Sequence, residues 1–232
     1  MSLTLALQKL HAYAHPAKAD ILQRFFKTGP GQYGAGDVFI GVKVPEIRTV
    51  AKQFSTLPHK SLANLLHSNI HEERLLALLV MVYQFECGQS QERRNLFDLY
   101  LNNTAHINNW DLVDLSAPKI IGPYLLDKNR SILTKLAQAP ILWERRIAIV
   151  STLAFIREHQ FDDTFRISSK LLNDNEDLIH KATGWMLREA GKRNVTALKE
   201  FLNEHRHLMP RTMLRYAIEK FAEKERRKYL QR

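Results

Sequence analysis

The chain has 232 residues, 45% hydrophobic and 25% charged, which is the balance of a soluble globular protein with a substantial core. Lysine and arginine outnumber the acids 34 to 24, and the formal charge of +10 favours polyanions, nucleic acid first and an anionic membrane second. The single Cys87 excludes an intrachain disulfide, and no apolar run approaches the roughly 20 residues of a membrane span. Met1 to Leu5 lacks the basic flank and cleavage site of a secretion signal, so a cytoplasmic protein is expected, nucleoid-associated if bacterial.

Almost every segment has helical spacing. Leu3, Leu7 and Leu10 recur at i, i+4, i+7, and Ile21, Leu22, Phe25 and Phe26 continue the pattern after Pro16. Gly29 to Gly36 then breaks it and contains a G-x-G-x-x-G match at Gly29, Gly31 and Gly34. A dinucleotide fingerprint needs a strand before it and a helix after it. Here Arg24 to Lys27 ends a helix and Val38-Phe39-Ile40-Gly41-Val42 follows, so the stretch is read as a flexible loop. Pro45-Glu46 opens the next helix. Further helices are expected from about Lys60, Glu72, Gln91 and Asn109, then from Ser131, Ile141, Asp162, Glu176, Thr196 and Pro210. Lys220 to Arg232, charged with mixed sign, reads as a solvated helix end.

An alanine recurs within these helices at Ala77, Ala117, Ala148, Ala182 and Ala217, at intervals of 31 to 40 residues. That is the period of a helical pair in a solenoid. The expected fold is therefore all-α, with HEAT/armadillo-like helical repeats forming a curved solenoid with a concave basic groove, in one domain spanning 1–232. A plain helical bundle is the alternative. In register, Asp114 falls with Arg74, Arg145, Ile179 and Leu214, three residues before each alanine, and Arg146 and Arg215 come one position later. Asp114, one of Arg145 and Arg146, and Arg215 are expected on one surface. Because Arg145 and Arg146 are adjacent, the other is read as a surface or salt-bridging residue.

The stretch Asn108-Asn109-Trp110-Asp111-Leu112-Val113-Asp114 places an aromatic and a carboxylate one turn apart on one face. Such a pair suits a partly enclosed concave surface; the competing reading is a capped helix with its tryptophan in the core and its acids solvated. Trp185 and Arg188 share another face. Arginine for phosphate and tryptophan for flat apolar contact are the means of holding nucleic acid without reading every base. A carboxylate amid such positive charge repels phosphate, and stabilising a cation is a reason to keep it. Trp143 reads as core, and Asp111 as a cap or brace of its helix. His67 and His71 have i, i+4 spacing but straddle a helix boundary, and His205 and His207 lack nearby ligands, so no metal site is expected. There is no P-loop and no nucleophile elbow.

Four motifs in order resemble the AlkD-type DNA alkylation repair proteins, a HEAT-like-repeat DNA glycosylase family: Phe39-Ile40-Gly41-Val42 with Pro45-Glu46-Ile47-Arg48, Trp110 to Asp114, Trp143 to Ala148, and Gly184 to Glu189. The resemblance runs from about Phe39 to Phe221. It implies a monofunctional glycosylase that hydrolyses the N-glycosidic bond of cationic N-alkylated purines, 3-methyladenine and 7-methylguanine, in duplex DNA. It also implies Asp114 as the catalytic carboxylate, Trp110 and Trp185 flanking the lesion's deoxyribose and backbone, and Arg146 and Arg188 on DNA. The lesion is attacked without being flipped into a pocket, and no cofactor or metal is needed. A monomer is expected, with no membrane partner. Two departures stand out: Asn109 replaces a second aromatic, and the loop from Gly29 to Gly36 has no counterpart. The competing functions are a non-catalytic binder of bent, branched or damaged DNA, and a protein-binding scaffold.

Overall fold

Helix punctuation in this chain is local and readable. Ser2 accepts the Leu5 N–H at 3.2 Å and starts the helix Leu3–His11 (α1). Proline opens the next two, Pro16–Phe25 (α2) and Val44–Gln53 (α3), where its missing N–H costs nothing. In the computed structural model, which describes residues 2–231, there follow His59–Leu66 (α4), His71–Cys87 (α5), Ser90–Leu101 (α6), a short 3-10 turn at Thr104–His106, and Trp110–Tyr124 (α7). Then come Ser131–Ala137 (α8), Leu142–Arg157 (α9), Asp162–Lys170 (α10), Asp177–Gly191 (α11), Val195–His205 (α12), Arg211–Ala217 (α13) and Glu223–Leu230 (α14). The all-α expectation holds: among the described residues there is no strand, only an isolated parallel bridge between Val38 and Ile70.

The chain divides into two compact units, Met1–Ile120 and Ile121–Arg232, and the division falls inside α7. In the first unit α5 is the central helix. It is buried without interruption from His71 to Val82, and α3, α4 and α6 pack around it. In the second unit α9 has that place, buried from Arg146 to Ile156 among α8, α10 and α11. A helix buried on all sides has no polar stripe to show, which is why both read as nearly continuous apolar runs. Beyond α9, a second cluster forms around Leu187, Leu202, Met213 and Ile218. There α11 meets α13 closely, and a Cβ on Gly184 would lie 2.5 Å from the Met213 carbonyl oxygen. All five repeated alanines are buried, each at most 1% exposed. The period therefore marks the positions where helices pack closely.

Two stretches between helices bear on the site. The Gly29 to Gly36 loop, expected to be flexible, is a run of hydrogen-bonded turns that folds back so that the Gly34 N–H reaches the Lys27 carbonyl at 3.2 Å. The segment after it is fastened by Glu72, whose carboxylate accepts the N–H groups of Ile40, Gly41 and Val42. Gly41 has φ of 83°, and a Cβ there would lie 2.2 Å from the His15 carbonyl oxygen, so only glycine fits. Helix α14 buries no residue, as its mixed charge implied.

Candidate active site

Helix α7 begins with an asparagine buried to 0% exposure. Asn109 Oδ1 accepts the Trp110 N–H at 2.9 Å, and its carbonyl takes the N–H of Val113. Trp110 is half-buried and lies flat on Phe26, with ring centroids 5.2 Å apart at 19°. It also meets the edge of Phe25 at 6.0 Å and 72°. One turn on, Asp114 is half-buried. Its charge reaches Tyr100, whose phenol pKa is pushed up by burial first; the Ser116 hydrogen bond opposes the shift, and Asp114 adds to it. Pro118, four residues after Asp114, has no N–H to give the helix ladder at that turn.

Trp110 and Asp114 line one cavity of about 550 Å³, all of it within the first unit. Its wall is mostly apolar, with Ile21 and Phe25 from α2 and Leu115 from α7, and Lys18 and Lys43 also line it. Phe25 is 61% exposed and Ile21 57%, a cost in water that a flat apolar ligand would remove. A carboxylate beside such a wall is poorly screened, so its field acts on an adjacent cation more strongly than in bulk water.

Beneath this cavity is a buried cluster of four charged side chains. His71, the first residue of α5, lies 2.8 Å from Asp111 Oδ2 through Nε2 and 3.2 Å from Asp37 Oδ2 through Nδ1. Arg74 donates to Asp37 Oδ1 at 2.7 Å and to the Ser68 carbonyl at 2.8 Å. None of the four is more than 6% exposed. Burial pulls the His71 pKa down, but the hydrogen bonds to Asp111 and Asp37 outweigh it, and the net shift is upward. Burial likewise pushes Asp37 up and is outweighed by His71 and Arg74, so that its pKa is lowered. Asn108 and Asn109 each donate to the same Asp37 at 3.3 Å.

In the second unit, Trp185 is half-buried on α11, and Trp143 is core at 7% exposure, as read from the sequence. Arg145 Nε donates to Asp174 at 2.6 Å, and its Nη1 donates to the Ala139 and Pro140 carbonyls. Arg146 is 5% exposed, with Nη1 on the Leu178 carbonyl at 2.6 Å. Arg188 pairs with Glu219 and lies 3.4 Å from Glu189. Arg215 is exposed.

A family model described as DNA alkylation repair enzyme matches residues 6–221. The chain belongs to this family. No curated protein matches it. Among solved structures, one described as a predicted DNA alkylation repair enzyme from Enterococcus faecalis is similar with a TM-score of 0.71 at 20% identity. The match covers 90% of this chain and 97% of that one, and at such identity it is a likeness of fold.

For this family member, the structure brings Trp110 and Asp114 to one cavity. Trp185, Arg145, Arg146 and Arg188 belong to the other unit. All three of these arginines are held by protein partners. Arg145 forms a salt bridge with Asp174. Asp111 braces its helix, as expected, but it does so against His71, whose spacing to His67 suggests only a metal ligand. Phe25, Phe26 and Phe39 were likewise seen as helix or motif residues and not as the ring stack under Trp110. Among the described residues, no group of three or more His, Cys, Asp or Glu is placed to hold a metal ion, and no helix is long and apolar enough to cross a membrane.

Proposed function

We propose that this member of the DNA alkylation repair family is a glycosylase that hydrolyses the N-glycosidic bond of cationic N-alkylated purines in duplex DNA, acting as a monomer and without a cofactor. The observation that carries this reading is the half-buried Asp114 in the wall of an apolar cavity, one turn from the exposed face of Trp110. Alkylation makes the purine cationic and a good leaving group, so the remaining task is to stabilise the sugar as the C–N bond breaks. The sugar becomes oxocarbenium-like, and a poorly screened carboxylate is the group that glycoside hydrolysis uses for it. In this reading Asp114 supplies the countercharge and positions the attacking water, and Trp110 presents its ring face to the cationic sugar. Trp185 and Arg188 are assigned to the DNA backbone by the family resemblance. The resemblance assigns Arg146 there too and the sequence offers Arg145; these two and Arg188 each serve a protein partner, which DNA would have to displace or share. Hydrolysis leaves an abasic site, and with no lysine assigned as a nucleophile the strand stays uncut.

The test is Asp114→Asn with methylated duplex DNA. Release of 3-methyladenine and 7-methylguanine should fall by about 10²–10³-fold, the scale seen when one preorganised electrostatic group is removed. Duplex affinity should hold or rise, because a negative charge has gone. Wild-type protein that releases neither base would end this reading and leave a binder of DNA structures, and a variant that releases both at the wild-type rate would end the assignment of Asp114.

A further inference from the structure

We infer that His71 is a positioning residue for the Asp114 site: clamped between Asp37 and Asp111, it sets the start of α7 and thereby the placement of Trp110 and Asp114 at the cavity wall. The inference rests on the reading of Asp114 as the group that acts on the lesion. Its ground is geometric. The ring faces a carboxylate oxygen at each end, Nδ1 toward Asp37 and Nε2 toward Asp111. A neutral imidazole donates from one nitrogen only and would turn a lone pair on the other carboxylate, so the arrangement favours the imidazolium. With it, Asp37, Asp111, His71 and Arg74 sum to zero charge, the condition under which buried ions are tolerated.

Two separate routes lead from this ring to Trp110. The first is covalent and short. Asp111 adjoins Trp110 and lies three residues before Asp114, so fixing its carboxylate fixes the rotation of the first turn of α7. Asn109 adds to it, donating to Asp37 with one end of its amide and accepting the Trp110 N–H with the other. The residue at which this chain departs from the family's second aromatic is thus tied into the cluster. The second route is a pile of rings: His71 on Phe39 at 4.4 Å, Phe39 on Phe26 at 4.9 Å, and Phe26 on Trp110 at 5.2 Å. Three elements bring charged groups to the ring. Helix α7 brings Asp111, the loop brings Asp37, and α5 brings Arg74 one turn on; the neighbouring Glu72 is turned to the backbone of residues 40–42.

The experiment compares His71→Gln with the double variant His71→Gln/Asp111→Asn. The single variant leaves one uncompensated buried negative charge, whereas the double variant restores neutrality and guards against a mere failure to fold. Single-turnover base release at saturating enzyme should drop about 10²-fold in His71→Gln, the scale of a small misplacement, with duplex affinity changed only a few-fold. The wild-type rate should decline on the basic side as His71 loses its proton, and the double variant should lack that limb. The Trp110 indole resonance, assigned with Trp110→Phe, should follow the same titration in wild type and stand still in the double variant. A folded His71→Gln with the wild-type rate, or an unchanged basic limb in the double variant, overturns the inference. Should wild type release no base, the glycosylase reading fails, and the indole resonance decides alone: movement with the titration upholds positioning, and a still resonance overturns it.

Discussion

Arg74 and Arg145 occupy the same position of the helical repeat, one in each unit, and they behave as relatives. Each reaches back six residues to a carbonyl of the turn before its helix, Arg74 to Ser68 at 2.8 Å and Arg145 to Ala139 at 3.0 Å. Each also takes an aspartate from another element, Asp37 or Asp174. They differ in their surroundings. The Arg74 side chain is 4% exposed and shares its aspartate with His71, whereas that of Arg145 is 17% exposed and, among the described residues, no second cation is seen on Asp174. An arginine at this register is thus a clamp inside the repeat, which says little about phosphate. A charge of +10 favours a polyanion, but it does not show which cations are available to meet it. In the first unit the clamp has gained a histidine and become the platform on which α7 starts.

The sharpest way to break the comparison is to remove each aspartate. Asp37→Ala leaves Arg74 without its carboxylate while His71 keeps Asp111, and one uncompensated buried cation costs about 3–5 kcal/mol. Unfolding by urea measures the total, and hydrogen exchange in α5 assigns it to the first unit. Gly41→Ala comes next, at about 2–4 kcal/mol. It forces a side chain into φ of 83° and against the His15 carbonyl, and it pulls the Gly41 N–H from Glu72, 2.8 Å away. Asp174→Ala should cost least of the three, about 1–2 kcal/mol, because Arg145 keeps two carbonyl partners and a share of solvent. Equal costs at Asp37 and Asp174 would erase the distinction between a sealed cluster and an open clamp.

The helix starts and the two clamps differ in how far the sequence makes them legible. The helix starts expected from Lys60 to Pro210 lie within one residue of those observed because the signals are local, as with Pro45 in a first turn and Pro210 just before a helix. Trp110 and Asp114 were legible for the same reason, being one turn apart on one helix. His71 was not, because its partners lie 34 and 40 residues away on either side, and no spacing announces a contact of that length. Its i, i+4 relation to His67 invited a metal reading, yet His67 closes α4 and turns to Asn103. The partners of the arginines are hidden in the same manner. Register gives the place of Arg145 along its helix, but not that Asp174, 29 residues on, occupies the guanidinium.

Titration offers the gentlest way to sharpen the contrast, because it changes no atom but protons. His71 has a raised folded pKa, so its contribution is whole below the ordinary histidine value of about 6.5 and is lost as pH rises through the folded value. Within that window the folded chain holds one proton more than the unfolded chain, and stability should fall by about 1.4 kcal/mol per pH unit at most. Asp37 runs the other way. Its lowered pKa gives a contribution whole above the ordinary aspartate value of about 3.9 and lost as pH falls through the folded one. The second unit has such an acid limb too, at Asp163, where burial acting upward is outweighed by Arg166 and Arg130. The loss on the basic side should therefore appear in the exchange of α5 amides, after correction for intrinsic rates, and not in those of α9. It should also vanish in His71→Gln/Asp111→Asn. A basic-side loss shared equally by α5 and α9 would mean that the imidazolium is not what holds the first unit's platform.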